Sequence, residues 1–375
     1  MPRYSDSHAA QGRGLISLEG NCKGGRDSDA YLQFTGRKVL VLLFMGLVII
    51  VVSIFSIASG VYSISPADVI EVLFGGGSTM ERTVVWSVRA PRIAAALIVG
   101  SALGVSGTVM QCVLKNPLAS PYTLGISSAA AFGAAFSLAA SYFGLFSSGL
   151  VGEVLGGIYG MAISAFVWSM VAVMVTVSLS KLVSTTPESM ILTGVALGAI
   201  FSSALSSLQY FVDDTTLASM VYWQFGDLSK VNTIKLGIMA AATLITSIYF
   251  VHKRWDYNAM EVGDDVSRSL GIDTKRTLIF TMVLSSGVTA ICISMVGIIG
   301  FVGLMAPHFM RRVIGGDHRF LIPGSMLMGA SILLIADSIG RLAFVISFPV
   351  GIITSFLGGP LFILILSRER RKTEG

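Results

Sequence analysis

Apolar residues run along this chain in ten stretches set apart by short polar segments. The stretches fall near 39–60, 93–113, 121–143, 157–179, 190–211, 232–251, 277–297, 298–314, 322–342 and 350–367. About 20 apolar residues cross a hydrocarbon core as a helix, and most of the stretches meet that length. The eighth is short and broken. It follows glycines at Gly297, Gly300 and Gly303 and carries Pro307, so the pattern predicts a helix, a break and a short return segment whose arginines reach water. Residues 1–38 are polar, glycine-rich and without apolar period, which predicts a disordered tail; 368–375 form a short basic tail. The apolar run that begins at Val39 is too long for the core of a signal peptide.

Composition places the chain in one class. Of 375 residues 53% are apolar and only 13% charged, with mean hydropathy +0.78. An ordinary soluble domain is excluded. The expectation is an all-α polytopic membrane protein of about ten transmembrane helices, with the short or broken one near 298–314. Charge placement supports the count. If the N-terminus is cytoplasmic, 20 of the 26 lysines and arginines fall on the cytoplasmic side, as the positive-inside rule requires, whereas nine spans would put Arg368, Arg370, Arg371 and Lys372 outside. Both termini are therefore expected in the cytoplasm. Cys22, Cys112 and Cys292 form no CxxC pair, and neither His308 nor His318 has a second ligand at metal spacing, so no metal site is expected.

Several motifs interrupt the apolar background. Arg89-Ala-Pro-Arg92 stands before the second span, where two guanidiniums at a helix start oppose the helix dipole; they suit an acidic docking partner or snorkelling toward headgroups. Gln111 lies inside an apolar helix, and Asn116-Pro117 opens a turn. Gly104-Val-Ser-Gly107 followed by Asn116-Pro117 echoes Gly300-Phe-Val-Gly303 followed by Pro307-His308, which suggests two related halves. Pairs such as Gly100/Gly104, Gly156/Gly160 and Gly194/Gly198 suit close helix contacts. In the loop 252–276, Met260, Val262, Val266 and Leu270 recur at near-helical spacing between Gly263 and Gly271, so two short surface helices are expected. Asp337 and Arg341 lie four apart and can pair on one helix face. There is no Gly-x-x-x-x-Gly-Lys-Ser/Thr loop and no hydrolytic triad, so the chain is not expected to be an enzyme.

Taken together, Arg89-Ala-Pro-Arg92, Gly104-Val-Ser-Gly107 with Gln111, Asn116-Pro-Leu-Ala-Ser-Pro121, Leu270-Gly271, Phe301-Val-Gly-Leu-Met-Ala-Pro-His308 with Arg311, and Pro349-Val-Gly-Ile-Ile-Thr354 with Gly359-Pro360 resemble the FecCD-type permeases. These are the membrane subunits of ABC importers for iron chelates and vitamin B12. The resemblance spans about 40–367. It implies a homodimer in the cell membrane, with the translocation path along the dimer axis. Two cytoplasmic ATPase subunits would dock on the 252–276 loop, through Glu261, Gly263, Ser269, Leu270 and Gly271. An extracytoplasmic substrate-binding protein would dock at Arg89, Arg92 and Arg341. Gln111, Asn116, Pro117, Gly300, Gly303, Pro307 and His308 are assigned to the path or to helix packing. ATP and magnesium belong to the ATPase subunits, so this chain is expected to hold no cofactor; lipid is a partner and nucleic acid is not. One departure is Ser347-Phe348-Pro349, where the family often has an acidic residue before the proline.

The expected cargo is an iron(III) chelate, with a corrinoid or haem as the alternative. A transporter coupled to protons or sodium needs ionisable groups inside the spans, where Asp337 is nearly alone. A non-transporting scaffold would not need the outer arginines.

Overall fold

The computed structural model describes residues 24–60, 62–145, 159–183, 186–343 and 348–373. Among them the regular elements are helices: α1 (Gly24–Ala58), α2 (Pro66–Leu73), α3 (Thr79–Val113), a 3-10 turn at Pro121–Leu124, α4 (Ile126–Tyr142), α5 (Gly160–Val183), α6 (Pro187–Phe211), α7 (Asp214–Gln224), α8 (Thr233–His252), α9 (Arg254–Val262), α10 (Asp264–Ser269), α11 (Thr274–Val296), α12 (Val302–Ile314), α13 (His318–Leu342) and α14 (Val350–Thr373). Seven of these are long and apolar enough to cross a membrane: α1, α3, α5, α6, α8, α11 and α13. With α4, α12 and the apolar part of α14 they account for every expected stretch.

Three boundaries move. The tail expected to stay disordered through residue 38 overlaps α1, which starts at Gly24; residues 1–23 lie outside the described part, as do Gly156 and Ser347. The third stretch opens as a 3-10 turn, and α4 starts only after Gly125 (φ +78). The second stretch starts earlier than its apolar residues suggest. Ser78 and Glu81 form a reciprocal capping box, and the helix then runs without a break to Val113. Pro91 cannot bond back along this helix. The preceding turn, Val84–Arg89, widens to a π-helix in which the Ala90 N–H reaches the Val85 carbonyl. Arg89 and Arg92 therefore sit well inside α3, and the argument from the dipole at a helix start does not apply to them.

The bundle is organised around α3. A Cβ on Gly100 would lie 2.4 Å from the Gly329 carbonyl, one on Gly104 2.1 Å from that of Ser325, and one on Gly107 1.7 Å from that of Gly303. Backbone thus lies on backbone against α13 and α12, as small residues permit in a membrane. The last contact has a second cause. Pro307, buried within α12, has no N–H for the Gly303 carbonyl four residues earlier, and that carbonyl is the one that faces Gly107. The two echoing glycine motifs meet there.

Between α11 and α12 the backbone breaks at 297–301, with Gly297 at φ +83 and Phe301 at φ +65. The carbonyls freed by the break are bonded from outside their own helices: the Asp227 N–H donates to Val296 O (2.7 Å), and the Tyr122 hydroxyl to Ile299 O (2.6 Å). This meets the rule that non-helical backbone at membrane depth must be satisfied within the protein.

Candidate functional site

Two polar clusters close the ends of the bundle. The first gathers where α1 and α13 end, around Asp337, whose side chain is fully buried. Arg92 Nε donates to one carboxylate oxygen at 2.8 Å and Arg341 Nε to the other at 3.2 Å. Arg341 also reaches the Ser56 carbonyl at 3.0 Å and the Ser59 carbonyl at 3.4 Å, so α1, α3 and α13 share one joint. Arg89, 7% exposed, donates to the carbonyls of Ile57, Ala58 (3.1 Å) and Tyr62, where α1 ends. A guanidinium satisfies the free carbonyls and the negative end of the helix dipole together. Gly60 (φ +154) makes room, since a Cβ there would lie 2.8 Å from Arg89 Nη2.

Here the structure alters the sequence reading. The three arginines expected at a docking surface are engaged inside the subunit, and their side chains present little area to a partner. Within this joint the three arginines outnumber the one aspartate by two charges.

The second cluster lies at the opposite end of α13, about 30 Å away along the helix from Asp337. The two short surface helices expected in the 252–276 loop are present as α9 and α10. Gly263 (φ +150) joins them and Gly271 (φ +80) ends the pair; neither glycine has an atom within 4 Å of the place a Cβ would take. Tyr257 and Met260 anchor α9 in the core, while Val262, Val266 and Leu270 form an exposed apolar stripe. Ser269 turns its hydroxyl onto the Val266 carbonyl at 2.7 Å. Glu261 accepts from Arg311 of α12 at 2.6 Å, and Lys115, after α3, pairs with Asp264 at 2.8 Å. Asn258 accepts from the His318 N–H at 2.8 Å and donates to Asp317 at 3.0 Å. Asp317 pays a penalty for partial burial, but the hydrogen bonds and charge of Arg319 outweigh it and hold its pKa down to about 2. The loop is thus tied to α3, α12 and the start of α13.

The residues assigned to the path divide. Gln111 is buried within α3. Asn116 closes its own turn by accepting from the Leu118 N–H at 2.8 Å, with Pro117 exposed beside it. Gly303 and Pro307 belong to the contact with α3, and His308 is half-buried on α12. Gly300 is different: a Cβ there would lie 3.1 Å from the Ser355 hydroxyl. Ser355 helps line an open groove of about 470 Å³ with Gln224, Phe225, Ile298, Gly351, Ile352 and Phe356.

Sequence reasoning did not single out Ser56, Asn258 or Ser355, and it left Arg311 without its partner Glu261. Asp337 was paired with Arg341 but not with Arg92, which lies 245 residues away.

Residues 47–368 match the sequence profile of the FecCD transport family. The chain belongs to the FecCD transport family. Family members are permease subunits of ABC importers, which work with separate ATPase subunits and substrate-binding proteins. A Methanocaldococcus jannaschii protein named, provisionally, as an ABC transporter permease is 44% identical over 91% of this chain and 98% of its own length. The hemin transport permease of Yersinia pestis is 32% identical, covering 90% of this chain and 98% of its own. The vitamin B12 import permease of Salmonella paratyphi A is 30% identical, covering 89% and 97%. In structure, the FecCD chain is similar to an ABC transporter described, provisionally, as of metal-chelate type, in an inward-facing conformation. That likeness has TM-score 0.76 and 27% identity, over 88% of this chain and 99% of the other. Family membership sets aside the ion-coupled and scaffold alternatives.

Proposed function

We propose that this FecCD permease carries an iron(III) chelate inward along a path formed between two copies of the chain, driven by ATP hydrolysis on a separate subunit. The observation that carries the cargo is the likeness to a metal-chelate-type transporter over nearly the whole chain. The Fe(3+)-citrate import permease of Bacillus subtilis, 32% identical over 90% of this chain, points the same way. In this reading the groove beside Gly300 and Ser355 is half of the path, which a second copy completes. Exposed Leu192, Val195 and Ile200 of α6 and Phe356 of α14 supply apolar surface for that pairing. Both termini and the α9–α10 loop face the cytoplasm, following the distribution of basic residues.

The ATPase subunit docks on the stripe Val262, Val266 and Leu270, beside Glu261, Ser269 and the two open glycines. The binding protein docks over Arg89, Arg92 and Arg341. These arginines act there through the surplus positive potential of the joint more than through direct pairing, and this attraction weakens as salt rises.

The test is uptake into vesicles that hold the complete transporter, with labelled ferric chelates, haem and cobalamin offered in turn. ATP-dependent entry of a ferric chelate in preference to cobalamin supports the reading. Entry of cobalamin alone replaces the cargo with a corrinoid. Separately, Leu270→Asp should weaken ATPase binding at least tenfold, as expected when a large apolar contact worth about 1.5–3 kcal/mol is lost. Titrating the ATPase against the variant in bilayers reads this out, and an unchanged affinity overturns the docking assignment.

A further inference from the structure

Where α1, α9 and the start of α13 meet, cations and aromatic rings alternate in a continuous ladder. The Arg254 guanidinium lies 6.0 Å from the Trp255 ring, with Arg319 5.0 Å from the same ring. Arg319 is also 5.4 Å from the Phe320 ring, and Lys38 is 5.2 Å from that ring. Trp255 is 56% exposed despite this company. The arginines differ in their charge balance. Arg319 is matched by Asp317, at 2.7 Å. Arg254 hydrogen-bonds a backbone carbonyl, that of Val251 at 2.9 Å, and no acid pairs with it among the described residues.

The surroundings identify what meets this ladder. α1 packs on α12 and α13 through Val41, Leu42 and Met45, so its exposed Leu40, Leu43, Phe44 and Leu47 face outward. Exposed Ile248 and Val251 lead up to Arg254 from α8. Two apolar, lipid-facing stripes therefore end at the ladder, which places it at the level of the headgroups. An indole at that depth with an arginine of surplus charge beside it is the composition that holds an anionic headgroup. The apolar stripe of Val262, Val266 and Leu270 is separate, toward the other end of the α9–α10 pair.

We infer that Arg254, Trp255, Arg319, Phe320 and Lys38 form a binding site for an anionic phospholipid headgroup of the inner leaflet. The site uses the orientation proposed above and is independent of the cargo. An occupied headgroup would fix the first turn of α9, and so the base of the ATPase-docking loop, to the membrane surface.

The test places the full chain in phosphatidylcholine bilayers containing either brominated phosphatidylglycerol or brominated phosphatidylcholine. It follows the fluorescence component that disappears in Trp255→Phe. Quenching by phosphatidylglycerol at severalfold lower content is expected. Arg254→Gln should reduce that preference about fivefold, as for one basic residue at an anionic surface, and Arg254→Lys should keep most of it. Lys38→Gln should reduce it as well; because Lys38 is buried, Arg254→Gln remains decisive if the Lys38 variant does not fold. Equal quenching by the two lipids overturns the proposal, as does a preference unchanged in Arg254→Gln. Loss of the preference on adding inorganic phosphate would identify a soluble anion instead. Its loss on adding the ATPase subunit would identify a protein surface. Either result also overturns the lipid site, and neither bears on uptake.

Discussion

The two ends of α13 are held by ionic joints of opposite character. At one end Asp337 is fully buried between Arg92 and Arg341, whose side chains are 13% and 12% exposed. At the other end Glu261 and Arg311 are each about a third exposed, and Lys115 and Asp264 more so. A buried carboxylate is costly unless its partners are in place, so the first joint specifies one arrangement of α1, α3 and α13. An exposed pair adds little and can be exchanged with water or with a partner at small cost. The first joint therefore fixes the bundle, while the second leaves the α9–α10 loop adjustable.

Substitutions at the two joints should separate them. Asp337→Asn leaves two guanidiniums without their acid and should cost about 3–5 kcal/mol of stability, read from unfolding in lipid or detergent. Replacing Asp337, Arg92 and Arg341 together by Leu, Leu and Met should cost much less than the single change. An Asp337→Asn protein as stable as the parent would break the comparison. Arg341→Lys keeps the charge near Asp337 but cannot also span to the Ser56 carbonyl, so an intermediate loss of about 1–2 kcal/mol is expected by the same measurement. Glu261→Gln should change stability by less than about 1 kcal/mol, and rising salt should erase even that.

A dependence on pH is a further expected effect. The Asp317 carboxyl titrates at about 2 in the folded protein, against about 3.9 when unfolded. Its folded pKa is depressed, so its contribution is present above about pH 4 and is lost as pH falls through about 2. Asp317→Asn, whose side-chain oxygen can still cap α13, should lose that contribution at neutral pH and flatten the acid limb of the stability profile over that window.

Hydropathy made the spans legible because each must present about 20 apolar residues whatever its neighbours are. The two helices α9 and α10 were legible for a similar reason, since the spacing of Val262, Val266 and Leu270 between two glycines is local information. The start of α3 was in principle readable too: Ser78-Thr-Met-Glu81 carries the capping signature, but it lies outside the apolar run. What the arginines touch was not legible, for a different reason. Whether Arg89 faces water or the end of α1 depends on a chain reversal at Gly60 and on a π-turn before Pro91, and neither leaves a periodic trace. The partnership of Arg92 with Asp337 is invisible to any local pattern. The groove beside Ser355 follows from the break at 297–301, where backbone conformation decides what is exposed.

The reach of 245 residues between Arg92 and Asp337 also bears on how the protein is made. Synthesis delivers α3, with its arginines, long before α13 brings the carboxylate. Until then α3 must keep Arg92 at the membrane surface, where a guanidinium can reach water or headgroups. The joint closes only when the ninth span enters the bilayer. A chain that stops short of α13 would lack the carboxylate that Arg92 meets in the finished bundle.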